Sequence, residues 1–474
     1  MTQKNETLPL VVSLLVTIAL LGGGGWWLAN RFNLLGADSP NSTGVVASGD
    51  RASFESRLSL GGKVLAPDGA NDNPDAKAKK QAGVEAIAAK NYAQAVADLE
   101  ASLQAKANDP EALIYLNNAR IGEQKAYTIA IAVPLATDVD ASLEMLRGVA
   151  QAQDEVNKAG GISGVPLKVA IVDDGGTVEG AQQVAAGLVG DSSILGVVGH
   201  YTSDASIAAG KVYDQGKLVM ISPVSTSVQL SNASPFVFRT VPSDFAAARA
   251  LANYMTGQLQ QQKAAVFFNS QSGYSQSLKS EFVSALGLSG GQVVSEIDLS
   301  SASFSAAANL QQVTQQGATV LVLLPNSGQL DRALQVLQVN QGQLKVLTGD
   351  DAYAPKTLSV GQKAAEGLVV AVPWHILANP QAPFVQSSRQ LWKADVNWRT
   401  AMSYDATAAL VAALGTTPTR QGVQEALRSA GFSTEGAGGS VQFLPSGDRN
   451  QSVQLVQVQP GSRSGYGFDF VPLR

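Results

Sequence analysis

The sequence predicts an α/β protein in which two similar doubly wound halves stand in series. Three observations carry this. From Tyr127 onward, short runs rich in Val, Ile and Ala alternate with stretches whose apolar residues recur at helical spacing. The series ends near Phe238 and begins afresh at Phe245. Within the first half, two strands end in hydroxyl-rich loops, the place where open α/β sheets bind small ligands. Two such halves imply two lobes with a cleft between them.

Ahead of Tyr127 the chain changes character three times. Residues 1–30 are expected to be a membrane anchor or signal segment. The run 8–28 is nearly uncharged and, at about 20 residues, long enough to cross a bilayer as a helix. Trp26 and Trp27 stand at its end, where interfacial aromatics belong. No small-x-small cleavage site follows, so an uncleaved transmembrane helix is expected, with a signal peptide as the alternative. Residues 31–74 turn to Gly, Ser, Asp, Asn and Pro and read as a flexible linker, ordered locally only over 58–65. Residues 75–123 are alanine-rich helical text. There Gly83, Tyr92, Ala95, Leu99 and Leu103 keep the spacing of a tetratricopeptide repeat, which this short all-α segment resembles. One repeat is too short to stack into a solenoid, so it is either a spacer packed on the main domain or a partner-binding module.

Composition excludes several functions. With 474 residues, 45% apolar and 15% charged, the chain can build two or three sizeable cores. A net charge of -5 without Lys/Arg clusters gives no footprint for nucleic acid. The absence of Cys excludes disulfides, Cys-ligated zinc and a thiol nucleophile. Two histidines, His200 and His375, make a His-based metal site improbable. No metal and no cofactor is expected.

In the first half, YTIAIAVP from Tyr127 is a strand; Leu143, Leu146, Val149, Ala152 and Val156 then form one helical face, stopped by Gly160 and Gly161. PLKVAIVDD is the next strand. The run 194–199 has the length and branching of a buried parallel strand. Tyr201, Thr202, Ser203, Asp204 and Ser206 follow, and Ala208, Ala209, Val212 and Tyr213 start a helix with Thr202 or Ser203 as N-cap. Such a helix start suits an anion. The strand 218–221 ends in Ser222, Pro223, Val224, Ser225, Thr226 and Ser227, whose hydroxyls also suit turns and caps. In the second half, Leu251, Met255 and Leu259 share a helical side. KAAVFFN, a helix over 274–286, QVVSEIDL, a helix to Gln316, TVLVLLP, LKVLTG and GLVVAVP follow.

Catalytic constellations are missing. Gly160, Gly161 and Gly164 precede a strand and lack a following Lys-Ser/Thr, so they are a turn rather than a phosphate loop. His200 near Ser203 has no nucleophile elbow. Adjacent carboxylates, Asp173 with Asp174 and Asp350 with Asp351, point to opposite faces of a strand and are poorly built for joint chemistry. Trp374 and His375 are expected in the core by default, with a place near a crossover or the cleft as the alternative, and Tyr404 with Asp405 at a helix start. No enzyme is expected.

The residues from 127 to 474 resemble the type I periplasmic solute-binding proteins, in particular the leucine/isoleucine/valine-binding branch of ABC-transporter receptors. The motifs, in order, are EVNKAGGISGVPLKVAIVDD, VVGHYTSDAS, VYDQGKLVMISPVST, SGYSQSL, TGDDAY, MSYDATAAL and GGSVQFLPSGDRNQSVQLVQV. The resemblance implies a Venus-flytrap with lobe 1 from about 127–244 and 373–415, and lobe 2 from about 245–372 and 416–474. It implies that Ser203 and Thr226 meet a ligand carboxylate. The carbonyl of Val224, Thr226 and Asp351 would meet its ammonium, and Tyr274 would close over it. Tyr201, Asp204, Ser225 and Asp350, which neighbour these residues, and Asn326, from a loop of its own, are further candidate ligand-binding residues. Asp351 replaces the usual Glu, the loop after Val133 is short, and Asn326 stands where a second tyrosine is common. The implied function is an extracytoplasmic receptor, held to the membrane by its amino-terminal helix, that delivers an amino acid or small amide to an ABC permease. The alternative is a sensory subunit that signals through a partner protein.

Overall fold

The computed structural model describes residues 48–67 and 73–473. The expected membrane helix lies outside the described residues. Among the described ones no helix is long and apolar enough to cross a membrane.

The Val/Ile runs form the strands, because branched side chains buried on both faces suit parallel sheets. The first sheet comprises β1 (Leu58–Ser59), β2 (Tyr127–Val133), β3 (Leu167–Asp173), β4 (Ile194–Val198), β5 (Met220–Ser222) and β6 (Val237–Arg239). Its order is β1-β3-β2-β4-β5-β6, parallel except for β1. The second comprises β7 (Lys263–Phe268), β8 (Gln292–Asp298), β9 (Val320–Leu324), β10 (Lys345–Thr348), β11 (Val369–Val372) and, after a small hairpin of β12 (Thr434–Gly436) and β13 (Gly439–Val441), β14 (Gln454–Pro460) and β15 (Phe468–Pro472). Its order is β15-β14-β11-β10-β9-β7-β8, with β14 and β15 antiparallel. Ile129, Ile131 and Val133 of β2 and Leu321 and Val322 of β9 are wholly buried.

The helix Trp398–Thr416 packs along Val139–Lys158, and Gly148 permits the close approach: a Cβ there would lie 2.2 Å from the Thr400 carbonyl oxygen. Trp398 is fully buried at its start. The helices Pro74–Ala88 and Tyr92–Ala105 pack on each other, and Pro110–Ile121 is buried between them and the first sheet. Asn118 extends the edge of β3, its Nδ2 donating to the Val169 carbonyl at 2.8 Å and its Oδ1 accepting from Val169 N at 3.1 Å. The segment thereby covers a sheet edge that would otherwise be free to pair with another chain.

Three expectations need correction. The linker 31–74 is structured over its described part. Ser48–Arg57 is a helix whose Phe54 lies against Gly187, and Leu58 pairs with Val172 to complete the β3 edge. The tail does not return to the second lobe at 416. Arg420–Arg428 buries Val423 and Leu427, while Arg420 donates to the carbonyls of Leu188, Val189 and Ile194 in the first lobe. Arg239 of β6 pairs with Asp448 at 2.6 Å. Only β14 and β15 rejoin the second sheet. Asp405 is not at a helix start but mid-helix and fully buried, where it accepts from Ala437 N at 2.5 Å and pairs with Arg449. Breaking a buried ion pair leaves an uncompensated charge, at a cost of about 3–5 kcal/mol. Arg449→Met is therefore expected to lower the urea midpoint sharply, and adding Asp405→Asn to recover part of the loss. An unchanged midpoint in the single variant would refute the role.

Candidate ligand-binding cleft

The carboxyl ends of β4, β5, β7, β9 and β10 converge on one cavity of about 380 Å³. From the first lobe, Thr202 caps the helix Ser203–Gly216 and accepts from Ala205 N at 3.2 Å. From the second, Ser272 caps Gly273–Leu288. Two helix N-termini thus face one space, and Asp204 bridges them: it stands in the first turn of one helix and accepts from Gly273 N of the other at 3.0 Å. Gly273 is needed for this contact, because a Cβ would sit 2.3 Å from Asp204 Oδ1. A second bond between the lobes joins Tyr201 Oη to Ser327 Oγ at 2.8 Å.

Of the residues that the sequence nominated, Tyr201, Ser203, Asp204, Val224, Ser225, Tyr274, Asn326, Asp350 and Asp351 line the cavity together. Thr226 does not. Its carbonyl is taken by Arg239 Nη1 and Asp244 N, and its buried hydroxyl has no partner. Ser203 Oγ is likewise buried and unpartnered. Ser225 spends its hydroxyl locally, pairing with Ser206 Oγ at 2.6 Å and donating to the Tyr201 carbonyl. Asn326 Oδ1 accepts from Asn269 at 2.9 Å. Tyr274 Oη donates to Asp350 at 2.7 Å, and Asp351 accepts from Ser327 N at 3.2 Å. His200 is fully buried between Asp174 at 2.6 Å and Tyr213 at 3.0 Å, away from any nucleophile geometry.

Sequence reading missed Arg399. From the start of Trp398–Thr416 its Nη2 reaches Asp351 at 3.1 Å and its Nη1 the Tyr353 carbonyl at 3.3 Å, so a first-lobe helix holds a second-lobe acid. An arginine near the start of a helix that then turns alanine- and leucine-rich was the available signal, since buried cations need partners. A second cavity of about 530 Å³ lies beyond, lined by Arg399 and sharing Asp138, Tyr201, Ser327 and Asp351 with the first.

The family described as "Periplasmic binding protein" matches residues 126–464. This chain belongs to that family. An "Amino acid binding protein" of Pseudomonas aeruginosa is 34% identical over 121 residues, 25% of this chain and 32% of that one. "Leu/Ile/Val-binding protein BraC3" of Rhizobium johnstonii is 27% identical over 247 residues, 51% of this chain and 66% of that one. The matched stretches span less than two thirds of either relative. The fold is shared with an ABC transporter substrate-binding protein of Desulfitobacterium hafniense in complex with Leu, at a TM-score of 0.62 and 24% identity, over 73% of this chain and 100% of that one.

As in a periplasmic binding protein whose lobes meet, the cleft buries its acids. Burial raises Asp350, and Asp244 nearby adds to it. Burial also raises Asp351, with Arg399 pulling the other way and Asp350 pushing further up. Asp244, behind Thr226 and Tyr274, is 1% exposed, and no hydrogen bond of good geometry reaches its carboxylate oxygens. Burial pushes it up to about 6, although the Ser277 and Thr226 hydroxyls beside it act downward. Because its folded value lies above the ordinary 3.8, the folded protein keeps a proton that the unfolded chain releases. Asp244 therefore lowers stability progressively as pH rises from about 4 through about 6. Asp244→Asn is expected to melt above the parent at neutral pH by the equivalent of roughly 2–3 kcal/mol and to match it near pH ~4. Equal melting at both pH values would show that Asp244 is not a buried acid of this kind.

Proposed function

We propose that this periplasmic binding protein is the extracytoplasmic receptor of an ABC transporter, that it binds an α-amino acid in the interlobe cavity, and that it presents it to the permease. One observation carries the reading: from lobe 1 the N-terminus of the helix Ser203–Gly216, with its unpartnered buried Ser203 hydroxyl, faces the cavity, and from lobe 2 the acids Asp350 and Asp351 face it. A zwitterion needs such an anion seat and such a carboxylate at opposite ends of one site. Ser203 and the amides after Thr202 hold the carboxylate in this proposal. The Val224 carbonyl and Asp351 hold the ammonium, with Asp350 kept in place by Tyr274. Thr226 acts from behind, through its contact with Asp244. Among the described residues no nucleophile and base stand together, and in this reading the protein captures and releases its ligand unchanged.

The division we propose assigns 48–67, 127–244 and 373–453 to lobe 1, and 245–372 and 454–473 to lobe 2. The helices of 75–123 act as a rigid spacer on lobe 1, and residues 1–30 as the tether to the membrane.

Calorimetry tests the site. Asp351→Asn keeps the shape while removing the charge, and a lost charged hydrogen bond is worth about 1.5 kcal/mol or more. L-Amino acids are therefore expected to bind at least about tenfold more weakly. Affinity within about threefold of the parent would sink the amino-acid reading. The pH dependence has a definite sign as well. Asp350 and Asp351 are raised in the free protein, and an ammonium favours their ionised forms. Binding is thus expected to release protons and to weaken as pH falls from about 8 to about 5. Proton uptake on binding, read from the buffer dependence of the enthalpy, would contradict it.

A further inference from the structure

We propose that the ligand carries a second positive charge on its side chain, a basic amino acid, and that Asp138 selects it. This rests on the amino-acid reading above and narrows it. Among the described residues, the cavity of about 380 Å³ is lined by the carboxylates of Asp138, Asp204, Asp350 and Asp351 and by no Lys or Arg; of the four acids, Asp351 alone is paired, with Arg399 at 3.1 Å. A zwitterion brings no net charge to such a lining and leaves its excess uncompensated. A ligand of net charge +1 offsets part of it.

Asp138 stands where the extra charge would be felt. It lines both cavities and, with Thr137, Tyr201, Ser327, Gly328 and Asp351, forms the junction between them. A side chain leaving an ammonium at Asp351 passes this junction on its way into the space of about 530 Å³ beyond. Three cations line that second space, and each is already paired. Arg399 faces Asp351 at 3.1 Å, Arg147 faces Glu144 at 2.7 Å, and Lys356 faces Asp331 at 2.6 Å. Asp138 is in no close ion pair among the described residues, although the Arg399 guanidinium is near enough to feel its charge. Its Oδ1 caps the helix Val139–Lys158 by accepting from Ala141 N at 3.1 Å, which leaves Oδ2 for a donor in the cavity.

Capping alone would also account for an acid at this position, but it does not require one. Thr177, Thr202 and Ser272 cap neighbouring helices with hydroxyls. Asn caps a helix about as well as Asp, so Asp138→Asn removes the charge and retains the cap. That substitution separates the two roles.

The experiment titrates the full chain in detergent with L-arginine, L-lysine, L-leucine and L-glutamine, for the parent, Asp138→Asn and Asp138→Glu. The parent is expected to bind L-arginine or L-lysine at least about tenfold more tightly than either neutral amino acid. Asp138→Asn is expected to reduce that ratio by about tenfold or more, with the melting temperature of the ligand-free protein held. Asp138→Glu is expected to keep the preference. Neutral amino acids binding as tightly as the basic ones would overturn the inference while leaving the amino-acid reading intact. A preference that survives Asp138→Asn would remove Asp138 as its source and overturn the assignment. Silence with all four ligands would overturn the amino-acid reading, and this inference with it.

Discussion

A guanidinium shut between two lobes must have a carboxylate within reach, and the rest of the cleft depends on how Arg399 meets that demand. Arg399 is anchored in lobe 1 because Trp398 beside it is fully buried and its helix is locked against Val139–Lys158 through Gly148. Its partner, Asp351, follows β10 of the other sheet. The pair fixes how closely the carboxyl ends of the two sheets approach, and so the width of the cavity between them. Asp204 with Gly273 and Tyr201 with Ser327 set the same spacing on the cavity's flanks. Each of these three contacts joins a side chain of lobe 1 to lobe 2 through polar groups. Such contacts exchange readily with water, which suits a cleft that opens and closes.

The polarity of the strands explains why the chemistry is concentrated there. In a parallel sheet every strand delivers its following loop to the same edge, and every following helix points its N-terminus back at that edge. Two sheets facing each other by these edges bring together loops that are far apart in sequence. Ser203, Tyr274, Asn326 and Asp351 come from four different crossovers. None of them is a site alone, and helix-start amides with acids across the gap become one only when both edges are present.

Much of this was legible in the sequence because it rests on local rules. The strands follow the branched apolar runs, and Thr202 is an N-cap of the expected kind. The nominated loops do meet in one cavity, with Thr226 the exception because the buried Arg239 draws its carbonyl toward the interior. What the sequence hid is long-range pairing. Nothing within a window around Arg399 announces Asp351, 48 residues earlier in the chain. Likewise Asp405 reads locally as a helix-start acid, and only the return of Arg449 from the tail explains its burial. The return of 417–453 to lobe 1 was equally hidden, since Arg420 is satisfied by carbonyls more than two hundred residues away. The helix and strand of 48–59 escaped because a two-residue edge strand has almost no pattern of its own. It is fixed by the exposed β3 edge that it covers.

Closing this cleft carries an electrostatic cost that a ligand is suited to offset. Bringing Asp138, Asp204, Asp350 and Asp351 to one cavity, with Arg399 paired to Asp351, concentrates negative charge while removing water. Burial makes these acids hold protons more tightly, which raises Asp350 and Asp351 despite the neighbouring guanidinium. An ammonium performs the proton's role and adds directed hydrogen bonds, so the closed form gains most from a ligand that is itself cationic at that end. The differential affinity of such a ligand for the closed over the open form is what shifts the equilibrium between them. In the function proposed here, the acids assigned to the ligand are also the groups that oppose closing, which makes recognition and closure one event.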